Sequence, residues 1–109
     1  PEKVPVTTKS GENLYYQSNQ KHTPGQQGYS RKAGTEPKNS LELFENSVQI
    51  REKTRYTQDA DGHIHQFKPQ DNNTWHWAGS TGDKTVPLKL ENDVKSDLRK
   101  QGMKGKILK

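Results

Sequence analysis

Two histidines with the chemistry for acid–base catalysis, His65 and His76, lie in neighbouring segments in which apolar and polar residues alternate. A third such segment carries Arg55 and Thr57. Histidine can serve as general base or general acid, because its unperturbed pKa of about 6.5 leaves both protonation states populated near neutral pH. An arginine can stabilise the charge of a phosphorane, and a threonine hydroxyl can bind a phosphate oxygen. These residue types indicate metal-independent transesterification of RNA, which leaves a 2′,3′-cyclic phosphate.

The three segments predict an antiparallel meander of short strands. Residues 59–62 (DADG) place Asp at the first position of a turn and Gly at the last. This pattern is typical of a type I turn followed by a left-handed glycine. The resulting hairpin places Thr57 opposite His65 and Arg55 opposite Phe67.

The second connection is residues 68–73, a loop rich in turn-forming residues. Symmetric closure of this loop places Phe67 opposite Thr74, and therefore His65 opposite His76. Directly opposed residues have Cβ atoms about 4.5–5.5 Å apart. The two imidazoles would then lie side by side.

Side chains on a strand alternate between the two faces of a sheet, so this register predicts one apolar and one polar face. The core face carries Tyr56, Ile64, Trp75 and Trp77. The exposed face carries Arg55, Thr57, His65 and His76. A slip of one residue in either hairpin would exchange the faces.

Other interpretations of these residues remain open. The histidine pair is also compatible with an ordinary solvated sheet face. A zinc site is a second alternative, with ligands drawn from His63, His65, His76 and either Asp59 or Asp61, although the chain has no cysteine. Alternating Trp75 and Trp77 could stack on bases, but in a chain with few large apolar residues we interpret them as core.

The short segment that follows the His76 strand, residues 79–82 (GSTG), has two interpretations. Small residues allow close approach of a phosphate, and Ser80 and Thr81 supply hydroxyl donors. The segment lacks the lysine and spacing of a nucleotide-binding P-loop, so ATP binding is not predicted. We retain Ser80 and Thr81 as candidate catalytic residues; the segment could equally be a plain turn.

Composition restricts the chain to one small domain with a basic surface. The 109 residues carry a formal charge of +5, no cysteine and only 25% hydrophobic residues, so the core must be small. No apolar run is long enough to cross a membrane. The C-terminal part is rich in basic residues, a distribution that favours a polyanionic partner. The predicted RNA-binding residues there are Lys84, Lys89, Lys95 and Arg99.

The first part of the chain is polar and shows no periodicity, which is typical of irregular structure. Within it, residues 12–18 (ENLYYQS) resemble the cleavage sequence of a plant-virus protease used to remove tags. We therefore interpret residues 1–20 as a linker that includes this introduced site, and residues 21–109 as a single domain.

The remaining elements predict an α+β fold. Asn39 and Glu42 form the pattern of a capping box at the start of a short helix that ends near Ser47 or Gln49. Residues 86–90 alternate but contain Pro87, which restricts them to an edge strand or an extended segment. Residues 93–100 predict a last helix. The expected architecture is a small twisted antiparallel sheet of three to four strands with a helix before it and a helix after it.

Four segments of the chain resemble the C-terminal toxin domains of bacterial contact-dependent growth inhibition and polymorphic toxin systems. They are residues 21–25 (KHTPG), 33–44 (AGTEPKNSLELF), 61–67 (DGHIHQF) and 76–83 (HWAGSTGD). The resemblance implies an antibacterial ribonuclease that cuts transfer RNA and needs no cofactor. It also implies delivery into a rival cell as part of a larger exported, secreted or surface-displayed protein, with action in the target-cell cytoplasm.

The same resemblance implies protein partners and one further residue. A cognate immunity protein would neutralise the toxin in its producer, and elongation factor Tu is a possible partner in some members of the class. His22 lies inside a resembling segment and is a reserve catalytic candidate. Two competing functions stay open. One is a metal-dependent nuclease of the DNase type, built on His63, His65, His76 and Asp61, and the other is a non-enzymatic basic RNA-binding module.

Overall fold

The computed structural model describes all 109 residues, and most of its regular structure is β. The strands are β1 Val4–Thr7, β2 Asn13–Tyr16, β3 Val48–Arg51, β4 Thr54–Gln58, β5 Ile64–Pro69 and β6 Thr74–Ser80. The helices are α1 Ser40–Glu45 and α2 Asn92–Lys100, with single 3-10 turns at Gln20–His22, Arg31–Ala33 and Lys106–Leu108. No helix has the length and apolar content needed to cross a membrane.

All six strands form one sheet in the order β1-β2-β6-β5-β4-β3. Every neighbouring pair is antiparallel except β2 and β6, which are parallel. The sheet curls into a half-barrel. The expected α+β fold, with three to four antiparallel strands between two helices, is therefore wrong. The expected sheet lacks β1 and β2, because the sequence predicts irregular structure in the first part of the chain, and it lacks β3, because the sequence predicts that the short helix extends to Ser47 or Gln49.

The first twenty residues are an integral part of this sheet rather than a linker. Strand β1 pairs with β2 so that Val4 opposes Tyr16 and Val6 opposes Leu14. Val6 and Tyr16 are buried in the main core. Each strand has only four residues, too few for the alternation of apolar side chains to stand out within polar surroundings. The segment 12–18 thus contains β2 and contributes to the core.

Two apolar clusters lie on opposite faces of the sheet. On the face covered by α1, the cluster contains Val6, Tyr16, Leu43, Phe44, Phe67, Trp75 and Trp77. On the face covered by α2, it contains Tyr56, Ile64, Leu98 and Leu108. The prediction of one core face and one exposed face is wrong, because both faces of β4 and β5 are covered. Both tryptophans are core residues, as expected, but they lie on the face opposite Tyr56 and Ile64.

The predicted helices differ in how well they match. Helix α2 begins within one residue of its predicted start and ends at Lys100 as predicted, followed by Gly102 at a φ of 93°. Helix α1 ends at Glu45, and Asn39 makes no capping hydrogen bond through its side chain. Residues 86–90 form no strand, although the Leu88 N–H donates to the Ser80 carbonyl.

The β4–β5 hairpin has the predicted register, with Thr57 opposite His65 and Arg55 opposite Phe67. Two backbone hydrogen bonds close its turn: the Asp59 N–H donates to the His63 carbonyl, and the Gly62 N–H donates to the Asp59 carbonyl. Gly62 has a left-handed φ of 90°. The Asp59 carboxylate also accepts the N–H groups of Asp61 and His63. The local turn chemistry therefore determined this hairpin.

The β5–β6 register differs from the prediction by an odd number of residues. Trp77 lies opposite Phe67 where the prediction put Thr74, and His76 lies opposite Lys68. A bulge at Gln66 and Phe67 then places Ser80 opposite His65. An odd shift exchanges the faces of every side chain on the strand. His65 and His76 therefore lie on opposite faces of the sheet.

Candidate active site

His65 is held by hydrogen bonds at both ring nitrogens. The Trp77 indole N–H donates to His65 Nδ1 over 3.0 Å, and His65 Nε2–H donates to the Asp59 carboxylate over 2.8 Å. The Trp77 bond requires a lone pair on Nδ1, so it selects the neutral Nε2–H tautomer. Protonation of Nδ1 would break that bond in a buried site. His65 therefore stabilises the fold and is poorly placed for proton transfer.

Arg55 is fully buried and enclosed on all sides. Its guanidinium forms two bonds of 3.1 Å with the Glu12 carboxylate and donates to the Ser47 hydroxyl and carbonyl. The rings of Phe44 and Trp75 lie 5.8 and 5.7 Å from its central carbon. The bond from Arg55 is the largest influence that lowers the pKa of Glu12 to about 2. Arg55 thus has no free donor face for a phosphate.

Two of the predicted hydroxyl residues, Ser80 and Thr81, accept hydrogen bonds from backbone N–H groups. Ser80 Oγ accepts the N–H of Gly82 over 3.0 Å, and Thr81 Oγ1 accepts the N–H of Ile64 over 2.9 Å. Thr57 is buried opposite His65. These contacts shape the end of β6 and the following turn, and none of them leaves a hydroxyl grouped with His76.

The residue brought beside His76 is the reserve candidate His22. It ends the 3-10 turn Gln20–His22, whose start is capped by the Asn19 side chain accepting the Lys21 N–H. The two imidazole rings are nearly parallel, at 16°, with centroids 6.3 Å apart. The His22 ring also meets the edge of Trp77 at a centroid distance of 5.2 Å.

The bonding of His22 defines which of its nitrogens is free. Its Nδ1–H donates to the Gly34 carbonyl over 3.2 Å, because a carbonyl only accepts. In the neutral ring, Nε2 is then the nitrogen that can take up a proton. Burial lowers the pKa of His22 and the charge of Lys21 adds to this, whereas the Gly34 carbonyl and the charge of Glu36 oppose it. Only 4% of His22 is exposed.

The His76 side chain is more exposed than that of His22, but its Nδ1 has no hydrogen bond. It is half-buried, and its Nδ1 is enclosed without any hydrogen-bond partner. Burial, followed by the charges of His22, Lys21 and Lys68, lowers the pKa of His76 to about 4. Both imidazoles of the pair are therefore uncharged at neutral pH, beside two lysines.

The alternative metal ligand set is not assembled. His65 is bonded to Trp77 and Asp59, His76 is on the other face, and the His63 ring packs against Gly82. No group of three or more His, Cys, Asp or Glu side chains is close enough to hold a metal ion. Asp83, which lines the same small cleft as His63, accepts the N–H groups of Thr35, Thr85 and Val86 instead.

The predicted RNA-binding residues divide into two groups. Lys95 donates to the Lys109 carbonyl and Arg99 to the Leu108 carbonyl, so both hold the C-terminal turn against α2. Lys84 and Lys89 are exposed and make no side-chain hydrogen bond. The lysines beside the histidine pair, Lys21 and Lys68, were missed by the sequence prediction.

A signal for each missed lysine exists in the sequence. Lys21 directly precedes the reserve histidine within a resembling segment. A loop between β5 and β6 three residues shorter than the predicted one places Lys68 opposite His76. Glu12, the partner of Arg55, carries no signal because its contact joins residues 43 positions apart.

No protein family, curated protein or solved structure matches this chain. The likeness to toxin domains therefore stays a prediction from the four segments quoted above.

Proposed function

We propose that the protein is an endoribonuclease that cuts RNA by metal-independent transesterification at the His22–His76 pair. One observation carries the proposal: two adjacent imidazoles, one with a hydrogen-bonded Nδ1 and one without, lie beside Lys21 and Lys68. The pairing of a proton acceptor with a proton donor is what this reaction requires. The pair predicted from the sequence, His65 and His76, is replaced because the two residues lie on opposite faces of the sheet.

The proposed steps use only groups of this chain. His76, the more exposed imidazole, takes the proton of a ribose 2′-hydroxyl while the 2′-oxygen attacks phosphorus. The bond from phosphorus to the 5′-oxygen then breaks, and His22, which takes up a proton once the bound phosphate has raised its pKa, supplies that proton to the departing oxygen. The products are a 2′,3′-cyclic phosphate and a 5′-hydroxyl end.

The structure of the pair supports this division of roles. A protonated His22 keeps its bond from Nδ1–H to the Gly34 carbonyl, whereas a protonated His76 has no acceptor for the enclosed Nδ1. His22 is therefore the ring more readily held in the protonated form that a general acid needs, and His76 is the ring held in the neutral form that a general base needs. A phosphate held by Lys21 and Lys68 would bring negative charge to both rings and raise their pKa toward neutrality.

The wider biological role follows from the resembling segments. Under this proposal the substrate is transfer RNA, a cognate immunity protein blocks the enzyme in the producing cell, and elongation factor Tu is a candidate partner in the target cytoplasm. The domain would be delivered as part of a larger exported protein. The formal charge of +5 is consistent with an RNA substrate.

The test is incubation of purified protein with total bacterial RNA, with and without EDTA, followed by analysis of the new 3′ ends. We expect discrete transfer-RNA fragments with cyclic phosphates in both conditions. His22→Ala and His76→Ala should each reduce the rate by about 10²–10⁴-fold. His63→Ala is the matched control, since His63 is exposed and makes no side-chain hydrogen bond.

Three results would contradict the proposal. Full activity in both His22→Ala and His76→Ala would remove the pair from the reaction. Loss of cleavage in EDTA together with loss in His63→Ala would favour the metal-dependent nuclease. Salt-sensitive RNA binding without cleavage, even after addition of cell extract, would favour the binding module.

A further inference from the structure

The three residues Gly34, Thr35 and Glu36, which we call the 34–36 segment, hold His22 at both its side chain and its main chain. The Gly34 carbonyl accepts the His22 Nδ1–H over 3.2 Å, and the Glu36 N–H donates to the His22 carbonyl over 2.8 Å. The Thr35 N–H donates to the Asp83 carboxylate over 2.9 Å, which ties the segment to the turn after β6. His22 is therefore bonded at two points to one short segment.

Position 34 requires a glycine for this arrangement. Gly34 has a φ of 94°, in the left-handed region that residues with a side chain rarely adopt. A Cβ at this position would also lie only 3.3 Å from the Trp77 ring. The backbone can thus pass close to the tryptophan with the Gly34 carbonyl bonded to the imidazole, and Glu36 follows two residues later.

The Glu36 carboxylate is fixed by two hydroxyl groups. The Tyr16 hydroxyl donates to Oε2 over 2.5 Å, and the Ser18 hydroxyl donates to Oε1 over 2.8 Å. Burial, followed by the charge of Glu36, raises the pKa of Tyr16 above its ordinary value, so the phenol keeps its proton and stays a donor. No cationic side chain forms a salt bridge with Glu36. Its negative charge is therefore held in place without a neutralising partner.

Two carboxylates face the His22 region, and they differ in what they bind. Asp83 approaches from the turn after β6 and accepts three backbone N–H groups, so it organises the loops around it. Glu36 accepts only the two neutral hydroxyls, and its own main chain is bonded to His22. Glu36 is thus the carboxylate more directly coupled to the imidazole.

The other charged and titratable groups around His22 oppose its protonation. Burial is the largest influence and lowers the pKa of His22, and the charge of Lys21 acts in the same direction, whereas backbone carbonyls and the charge of Glu36 raise it. His76 stacks on His22 from β6, and the charge of Lys68 on β5 acts on His76. Glu36 therefore offsets the positive groups that come from three other elements.

We infer that Glu36 is a positioning residue for His22, whose fixed carboxylate favours the protonated imidazole that a general acid requires. The role of His22 as general acid rests on the proposed function. A general acid must carry its proton when the 5′-oxygen departs, and a nearby opposite charge favours the charged form. The hydroxyls of Tyr16 and Ser18 hold the carboxylate in the place from which it acts.

The first test is NMR titration of the histidine side chains in wild type and Glu36→Gln, without RNA. The amide can still accept from Tyr16 and donate to the Ser18 hydroxyl, so the substitution removes the charge and keeps the bonds. His22→Gln assigns the His22 signal among the four histidines. We expect the measured pKa of His22 to be lower in Glu36→Gln than in wild type, and that of the exposed His63 to be unchanged.

Two further variants separate the charge from the hydrogen bonds. Ser18→Ala removes one bond to the carboxylate but retains its charge, so the pKa of His22 should not fall below that of wild type. Glu42→Gln makes the same chemical change at an exposed glutamate of α1 and should leave the pKa of His22 unchanged. An unchanged pKa in Glu36→Gln, or an equal decrease in Glu36→Gln and Ser18→Ala, would overturn the inference.

The second test is the pH dependence of RNA cleavage. The limb of kcat/KM that falls at high pH reports the general acid. In Glu36→Gln this limb should move to lower pH and reduce the rate on its alkaline side by about tenfold, while the acidic limb set by His76 stays in place. An unmoved alkaline limb in an active Glu36→Gln enzyme would overturn the inference alone. A wild type that cuts no RNA would remove the nuclease alone, and the NMR comparison would still decide whether Glu36 acts on His22.

Discussion

The ion pair between Glu12 and Arg55 ties the first strands to the centre of the sheet, and its removal should weaken the fold. In Glu12→Gln, the guanidinium of Arg55 stays buried and loses its counter-charge. A carboxyl whose pKa falls from 4.5 to about 2 would gain up to about 3.4 kcal/mol from ionisation in the folded state. The Glu12 side chain is 40% exposed, so solvent screening reduces the expected loss to about 1–2 kcal/mol.

The pH dependence of this loss has a defined sign. Because the folded-state pKa of Glu12 is lowered, its contribution is fully present above about 4.5 and disappears as the pH falls toward about 2. Urea denaturation of wild type and Glu12→Gln should therefore show a stability difference at neutral pH that shrinks in acid. The control is Glu2→Gln, which changes an exposed glutamate without a side-chain partner.

A double-mutant cycle isolates the pair itself. Arg55→Met keeps an apolar stem between Phe44 and Trp75 and removes the buried charge. Combined with Glu12→Gln, it should show a coupling of about 1–2 kcal/mol, whereas Glu2→Gln and Arg55→Met should be additive. A Glu12→Gln protein as stable as wild type at neutral pH, or a difference that stays constant in acid, would refute this reasoning.

Two more predictions concern strand β2 and His76. The protease that recognises the ENLYYQS pattern should leave the native protein intact and cut after Gln17 only in urea. In the native protein Tyr16 is buried and the Gln17 N–H donates to the Trp75 carbonyl, so the segment cannot enter a protease. Rapid cleavage of the native chain, seen on a gel, would contradict the placement of β2. His76 should titrate by NMR with a pKa of about 4. His76 binds a proton at a higher pH in the unfolded chain than in the folded protein, so wild-type stability should fall as the pH drops from about 6.5 to about 4. The His76→Gln variant should lack that part of the decline. A measured pKa near 6.5 would contradict the burial of His76.

Where the sequence prediction held, the determining interactions are local. The Asp59 carboxylate binds two N–H groups within four residues, and Gly62 supplies the left-handed position, so the β4–β5 register follows from the turn alone. Helix α2 was predicted from its 3.6-residue period and from Gly102. The loop between β5 and β6 has no such marker. A three-residue difference in its closure moved His76 to the other face.

The sequence by itself determined the β4–β5 hairpin and the last helix, since each depends on residues close together in the chain. Only the tertiary structure decided which histidines meet. His22 reaches His76 because the N-terminal strands enter the sheet and β2 pairs in parallel with β6. Parallel neighbours are joined by long connections, here about sixty residues, and carry no turn signature that a sequence could reveal.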